Sequence, residues 1–251
     1  EAMVLFPPRL TTFRPLTDND RGAGHGFERA CWTTAGAYAR CVDTRVEPRE
    51  GGVVVTYDYQ LASLDNVIVP VRYELRPDGT IRLTATYPGA QNLPTMPCFG
   101  LEWALPSSID RLRFYGLGPV EAYADRLAGA NLGVWELSAA QGLAHYAVPQ
   151  ECGFHPGVRW CDVTDANGHG LHVQARANLG ISLLPYSSAQ IENARHWWEL
   201  PEPSQRTATY LRLLSAQMGV GGDDSWGSPV HDEFQIDATH EQIVDVTLSL
   251  L

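Results

Sequence analysis

The sequence has 251 residues, with 18 basic and 29 acidic side chains, a net charge of −11 and a pI of about 5.1. That balance excludes the basic patch of a nucleic-acid binder, and without about 18 consecutive apolar residues there is no transmembrane helix. A chain of this length makes one large all-β domain or two small ones and buries roughly 70–75% of its unfolded surface.

Residues Glu1 to Pro8 show no basic segment followed by an apolar core, so no secretion leader is expected. An irregular N-terminal arm is expected over about residues 1–26. It carries "PLTDNDRGAGHGFER", a polar, glycine-rich loop in which Asp18, Asn19 and Asp20 sit together. The three open like a calcium loop, but no glutamate follows at the required spacing. An Asx-turn is one reading and a mobile binding loop the other.

"VVVTYDY" is a strand candidate. In "VPVRYELRPDGTIRLTATY", Val71, Tyr73 and Leu75 alternate with Arg72, Glu74 and Arg76, and Ile81, Leu83 and Ala85 alternate on the return. That is a hairpin with one buried and one wet face. "FYGLGPVEAYADR" is expected to turn rigidly at Gly116, Gly118 and Pro119, with Glu121, Tyr123, Asp125 and Arg126 in a buried polar network. "VRWCDVTDANGHGLHVQAR" is a second hairpin, turning near Asn167 and Gly168.

Ser187 and Gln190 are spaced as a capping box for a short helix, with Ile191, Ala194 and Trp198 on one face and Pro201 and Pro203 ending it. "TATYLRLLS" and "QIVDVTLSLL" are further strands. Between them, "MGVGGDDSWGS" places three glycines, two carboxylates and an indole in succession. A strand interior does not tolerate this, so it is a loop. Asp223 and Asp224 can accept from sugar hydroxyls and Trp226 can stack on a sugar's C–H face. The alternative is a structural turn whose Trp226 plugs the core.

The five cysteines are irregularly spaced, so buried, reduced, inert thiols and a cytoplasmic home are expected. His169 and His172 face opposite sides of a strand, so no metal site is expected. No G-x-S-x-G elbow occurs. Little helix and regularly spaced strands predict a single domain over 1–251, an all-β, large antiparallel β-sandwich.

Taken in order, "PLTDNDRG", "GLGPVEAYADR", "PQECG" and "MGVGGDDSWG" resemble the C-terminal domain of glycoside hydrolase family 2 β-galactosidases, which also occurs as a separate small chain. The likeness spans roughly Phe13 to Leu250. It departs at Ala122 and Ala124, where the family's motif carries Asn and Pro, and at Cys152, where it carries Asn.

The resemblance implies a galactose-mutarotase-like supersandwich. It also implies that the two catalytic glutamates lie on a barrel domain or large subunit absent from this sequence. Trp226 would form a sugar platform, with Asp223, Asp224 and the Asp18, Asn19, Asp20 segment bordering the same mouth. No catalytic residue, metal or cofactor is expected in this chain, the full enzyme of the family commonly using Mg and Na elsewhere. Its expected partners are a β-galactoside such as lactose, the catalytic chain and further copies in an oligomer, with neither nucleic acid nor membrane. The chain alone should be inactive. A stand-alone carbohydrate-binding module is one alternative. An aldose epimerase is another, although His145 and His196 fall in no epimerase motif.

Overall fold

Period-two alternation becomes two antiparallel sheets in the computed structural model, which describes residues 3–64, 66–224 and 227–251. The larger sheet has nine strands. In spatial order they are β2 (Arg40–Arg49), β3 (Gly52–Gln60), β4 (Ile68–Leu75), β5 (Ile81–Tyr87), β13 (Gln242–Leu250), β10 (Gly170–Ala175), β9 (Trp160–Thr164), β7 (Arg111–Gly118) and β8 (Asn131–Ser138). The smaller runs β1 (Phe6–Thr11), β6 (Cys98–Pro106), β12 (Ala208–Gln217) and β11 (Gly180–Leu184). The all-β sandwich expected from the sequence is present.

The core lies between the sheets. Leu83, Val246, Val173, Val163 and Phe114 of the large sheet and Leu101, Leu211, Leu213 and Ile181 of the small one are almost fully buried in a single cluster. Each such side chain contributes about 1.5–3 kcal/mol. Both predicted hairpins form, β4 with β5 and β9 with β10. Gly79 and Gly168, at φ 81° and 87°, supply the left-handed residue each turn needs.

Several expectations need correction. Residues 3–26 are not an irregular arm. They hold β1, the short helix α1 (Asp18–Gly22) and the start of α2 (His25–Glu28); α3 (Ala30–Ala35) follows. A capping box creates α1. The Thr17 side chain accepts the Asp20 N–H, and the Asp20 carboxylate accepts the Thr17 N–H, each at 3.0 Å.

Gly116 and Gly118 do not make a turn. They belong to β7, where a Cβ on Gly118 would lie 2.6 Å from the Trp135 ring and one on Gly116 2.9 Å from Val158. The capping box at Ser187 and Gln190 does start a helix, α4 (Ser188–Asn193). It stops before Ala194, and Trp198, at 76% exposure, shares no face with the buried Ile191. All five thiols are unpaired, but Cys41 is exposed, because it sits on β2, an edge strand exposed at every residue. No helix among the described residues is long and apolar enough to cross a membrane.

Candidate functional site

Strand β12 ends at Gln217, and the chain then enters the glycine-rich segment that begins at Met218. Three parts of the sequence hold this segment. The first is Arg14, 1% exposed, whose Nη1 donates to the Met218 carbonyl at 2.7 Å and whose Nη2 donates to the Gly219 carbonyl at 2.8 Å. Its Nη2 also meets both oxygens of Asp20, at 3.0 and 3.1 Å.

The second is Asn19 on α1, whose Nδ2 donates to the Val220 carbonyl at 3.0 Å. The third is Asp125, which lies far away in sequence. Its two oxygens accept the Val220 N–H at 3.0 Å and the Gly221 N–H at 2.7 Å. Charged acceptors of this kind make stronger hydrogen bonds than neutral ones.

The glycines follow from these contacts. Gly221 and Gly222 have φ of 68° and 109°, which side-chain-bearing residues rarely adopt. A Cβ on Gly227 would fall 2.4 Å from the Gly22 carbonyl carbon, so the returning limb of the loop packs directly against the end of α1.

The six predicted sugar-contacting residues separate into four groups. Asp18 is exposed; its N–H and one carboxylate oxygen bind the Gln150 amide at 2.9 and 3.2 Å. Asp223 is also exposed and pairs with His231 Nε2 at 2.5 Å, while the exposed Asp224 accepts the Ser228 N–H at 3.1 Å. Asn19 is half-buried and engaged with the loop backbone. Trp226 lies outside the described residues.

Asp20 is a correction. At 2% exposure its carboxylate is used by Arg14, by the Thr17 N–H and by His25 Nδ1 at 3.2 Å, so it cannot reach a ligand. Burial alone would raise its pKa, but Arg14 above all, with His25 and the Thr17 N–H, holds it well below the ordinary carboxylate range. It is a positioning group for the loop.

The "PQECG" segment lies under the same loop. Gln150 holds Asp18. Glu151, 2% exposed, binds Arg212 at 2.9 Å and Gln217 at 2.8 Å at the end of β12. Glu121 accepts the Gly153 N–H and an Arg126 N–H, both at 2.6 Å, and pairs with the Tyr146 hydroxyl. The predicted polar network forms only in part: Glu121 and the exposed Arg126 pair, Asp125 turns instead to the Met218 loop, and the buried Tyr123 hydroxyl has no hydrogen-bond partner among the described residues. Ala122 and Cys152, two of the three departures from the family motif, are almost completely buried. Among the described residues no group of three or more His, Cys, Asp or Glu is arranged to hold a metal.

Sequence reasoning did not single out Arg14 or His231, and it treated Asp125 as one member of a network rather than as the anchor of the loop. Nothing in a lone Arg14 beside Pro15 signals that its guanidinium is buried.

The sequence profile of the beta galactosidase small chain matches residues 1–248. A beta-galactosidase, BgaC, of Bifidobacterium adolescentis is 53% identical over 98% of this chain and 24% of that protein. A beta-galactosidase of Streptococcus thermophilus is 47% identical over 90% and 22%. A beta-galactosidase small subunit of Latilactobacillus sakei is 34% identical over 96% of this chain and 84% of that subunit. The chain thus spans about a quarter of the length of the first two and most of the third. An aldose epimerase homologue from C. elegans has a TM-score of 0.43 at 8% identity, covering 87% of this chain and 71% of that one. A galactose mutarotase-like protein from Lactobacillus casei scores 0.37 at 14%, covering 83% and 73%. The chain belongs to the beta galactosidase small chain family.

Proposed function

We propose that this chain is the C-terminal domain or small subunit of a glycoside hydrolase family 2 β-galactosidase and completes the mouth of its galactoside site. Hydrolysis with retention needs two carboxyl groups about 5–5.5 Å apart. In this reading both are glutamates on a barrel-bearing partner, and this chain supplies sugar contacts, taking no metal or cofactor for that role. The contacts are the Trp226 ring, the exposed carboxylates Asp223 and Asp224, and the rim residues Asp18 and Asn19.

One observation carries the reading: Arg14 and Asn19 from one segment of the chain and Asp125 from another, each about 95 or more residues from the loop, all bind the backbone of Met218 to Gly221. A loop of four glycines has no stability of its own to justify that investment, whereas a loop that must present side chains to a ligand does. The exposed rim beside it supports a macromolecular partner. Phe27, on α2 directly after α1, is 93% exposed, and a docked catalytic chain would cover it. In this reading the assembled enzyme is an oligomer in the cytoplasm.

The test is Trp226→Ala in the assembled enzyme. Loss of stacking raises KM about tenfold or more, on the order of 1.4 kcal/mol. An unchanged KM for a β-galactoside removes Trp226 from the site and this role from the loop.

A further inference from the structure

Beside the β1 edge of the small sheet lies a groove of about 430 Å³, within the range of roughly 300–1,000 Å³ common to small-molecule sites. Three strands cross its floor. Arg9 of β1 stands opposite Glu102 of β6, and Tyr210 of β12 pairs with Ala104 two residues further along β6. Glu102 accepts the Ser188 hydroxyl at 3.1 Å. Arg9 is exposed and forms no ion pair among the described residues, although it faces Glu102 across the sheet. The groove is also lined by Tyr38, which is 73% exposed.

The lining selects the occupant by chemistry. An apolar ligand would strip water from Glu102 and Arg9 without replacing their hydrogen bonds. A phosphate or other anion would meet the carboxylates of Glu102 and Glu192, both of which line the groove. A sugar fits both kinds of surface in the groove, which is lined by Phe6, Phe13 and Tyr38 as well as by Arg9, Glu102 and Tyr210. Its hydroxyls donate to a carboxylate and accept from a guanidinium or phenol, and its C–H face packs on an aromatic ring.

We infer that this groove is a saccharide-binding subsite sized for a mono- or disaccharide. The inference rests on the groove's own residues and stands apart from the role proposed for the Met218 loop. Glu192 links the two places. Its Oε2 accepts the Leu16 N–H at 2.7 Å and its carboxylate lies 3.4 Å from Arg21, so an occupant would touch the residue that supports the start of α1.

The experiment is an amide-resolved NMR titration of the chain with lactose and, separately, galactose. The expected result is shifts clustered at residues 6–12, 33–38, 102–104 and 187–193. Tyr38→Ala and Glu102→Gln each weaken that binding by about fivefold. Tyr38 is exposed and Glu102 is replaced by an isostere, so unchanged spectra elsewhere will confirm that both variants fold. Absent shifts in the groove, or an affinity in both variants unchanged from that of the unsubstituted chain, overturn the inference. Shifts confined to residues 218–230 also overturn it while supporting the loop's proposed role. Shifts confined to the groove support the subsite and count against sugar binding by the loop in this chain.

Discussion

Gly219 passes so close to Asp125 that a methyl group on its Cα would lie 2.4 Å from the carboxylate Oδ2. The same carboxylate accepts the next two backbone N–H groups, of Val220 and Gly221. Glycine and aspartate therefore define one local geometry, and neither can change alone.

Asp125→Ala leaves two half-buried N–H groups without an acceptor, at a cost of about 1–3 kcal/mol. In the assembled enzyme the expected outcome is a raised KM for a galactoside with a smaller change in kcat. Gly219→Ala should give the same pattern by displacing the carboxylate. Steady-state kinetics beside thermal unfolding separates this from a general loss of fold, which would lower the amount of active enzyme without moving KM.

Removing one member of the buried Arg14–Asp20 pair strands the other's charge, a loss of about 3–5 kcal/mol. The pair also sets an acid limit. Folded Asp20 ionises well below the roughly 3.9 of an unfolded aspartate, so on acidification the unfolded chain takes up the proton first. Its contribution is fully present above that value and is lost as pH falls toward the folded one. Denaturant unfolding followed from pH 7 to pH 3 should show this decline, and Asp20→Asn, less stable at neutral pH, should show a shallower one.

How much of this was readable beforehand follows from the local patterns. The β4–β5 and β9–β10 hairpins announce themselves through one wet face and a glycine turn. Strand β11 is buried at all five residues, so it has no period of two, and β6 is buried along most of its length. In α1, residues two apart on a helix point about 200° apart. Asp18 is therefore exposed and Asp20 buried, a difference that "DND" does not display when read as a loop. The glycines of the Met218 segment did mark a special backbone. Their anchors, Arg14 and Asp125, are more than 90 residues away in the chain, and only the fold brings them together.

His231 should titrate above its ordinary value of about 6.5, because the hydrogen bond and charge of Asp223 favour the imidazolium. Whatever the pair contributes is present below that value and fades as pH rises through the raised one. Imidazole NMR signals followed against pH give the midpoint. In Asp223→Asn it should move back toward about 6.5, and no movement would show that the pair does not form in solution.

The thiols should divide by exposure. Cys41 should react at once with a disulfide reagent in the native protein. Cys98, Cys152 and Cys161 should stay inert until unfolding, since burial pushes Cys98 up to about 11, Cys152 up to about 12 and Cys161 further still. The half-buried Cys31, also raised by burial, should react more slowly than Cys41. Counting modified sites by mass spectrometry before and after denaturant checks this.

The most direct test of the central claim is hydrolysis of a chromogenic β-galactoside by this chain alone, by its barrel-bearing partner alone and by the two together. The account predicts little or no activity from either part and full activity from the mixture. Hydrolysis by this chain alone would contradict it and would require a catalytic carboxyl pair within these 251 residues.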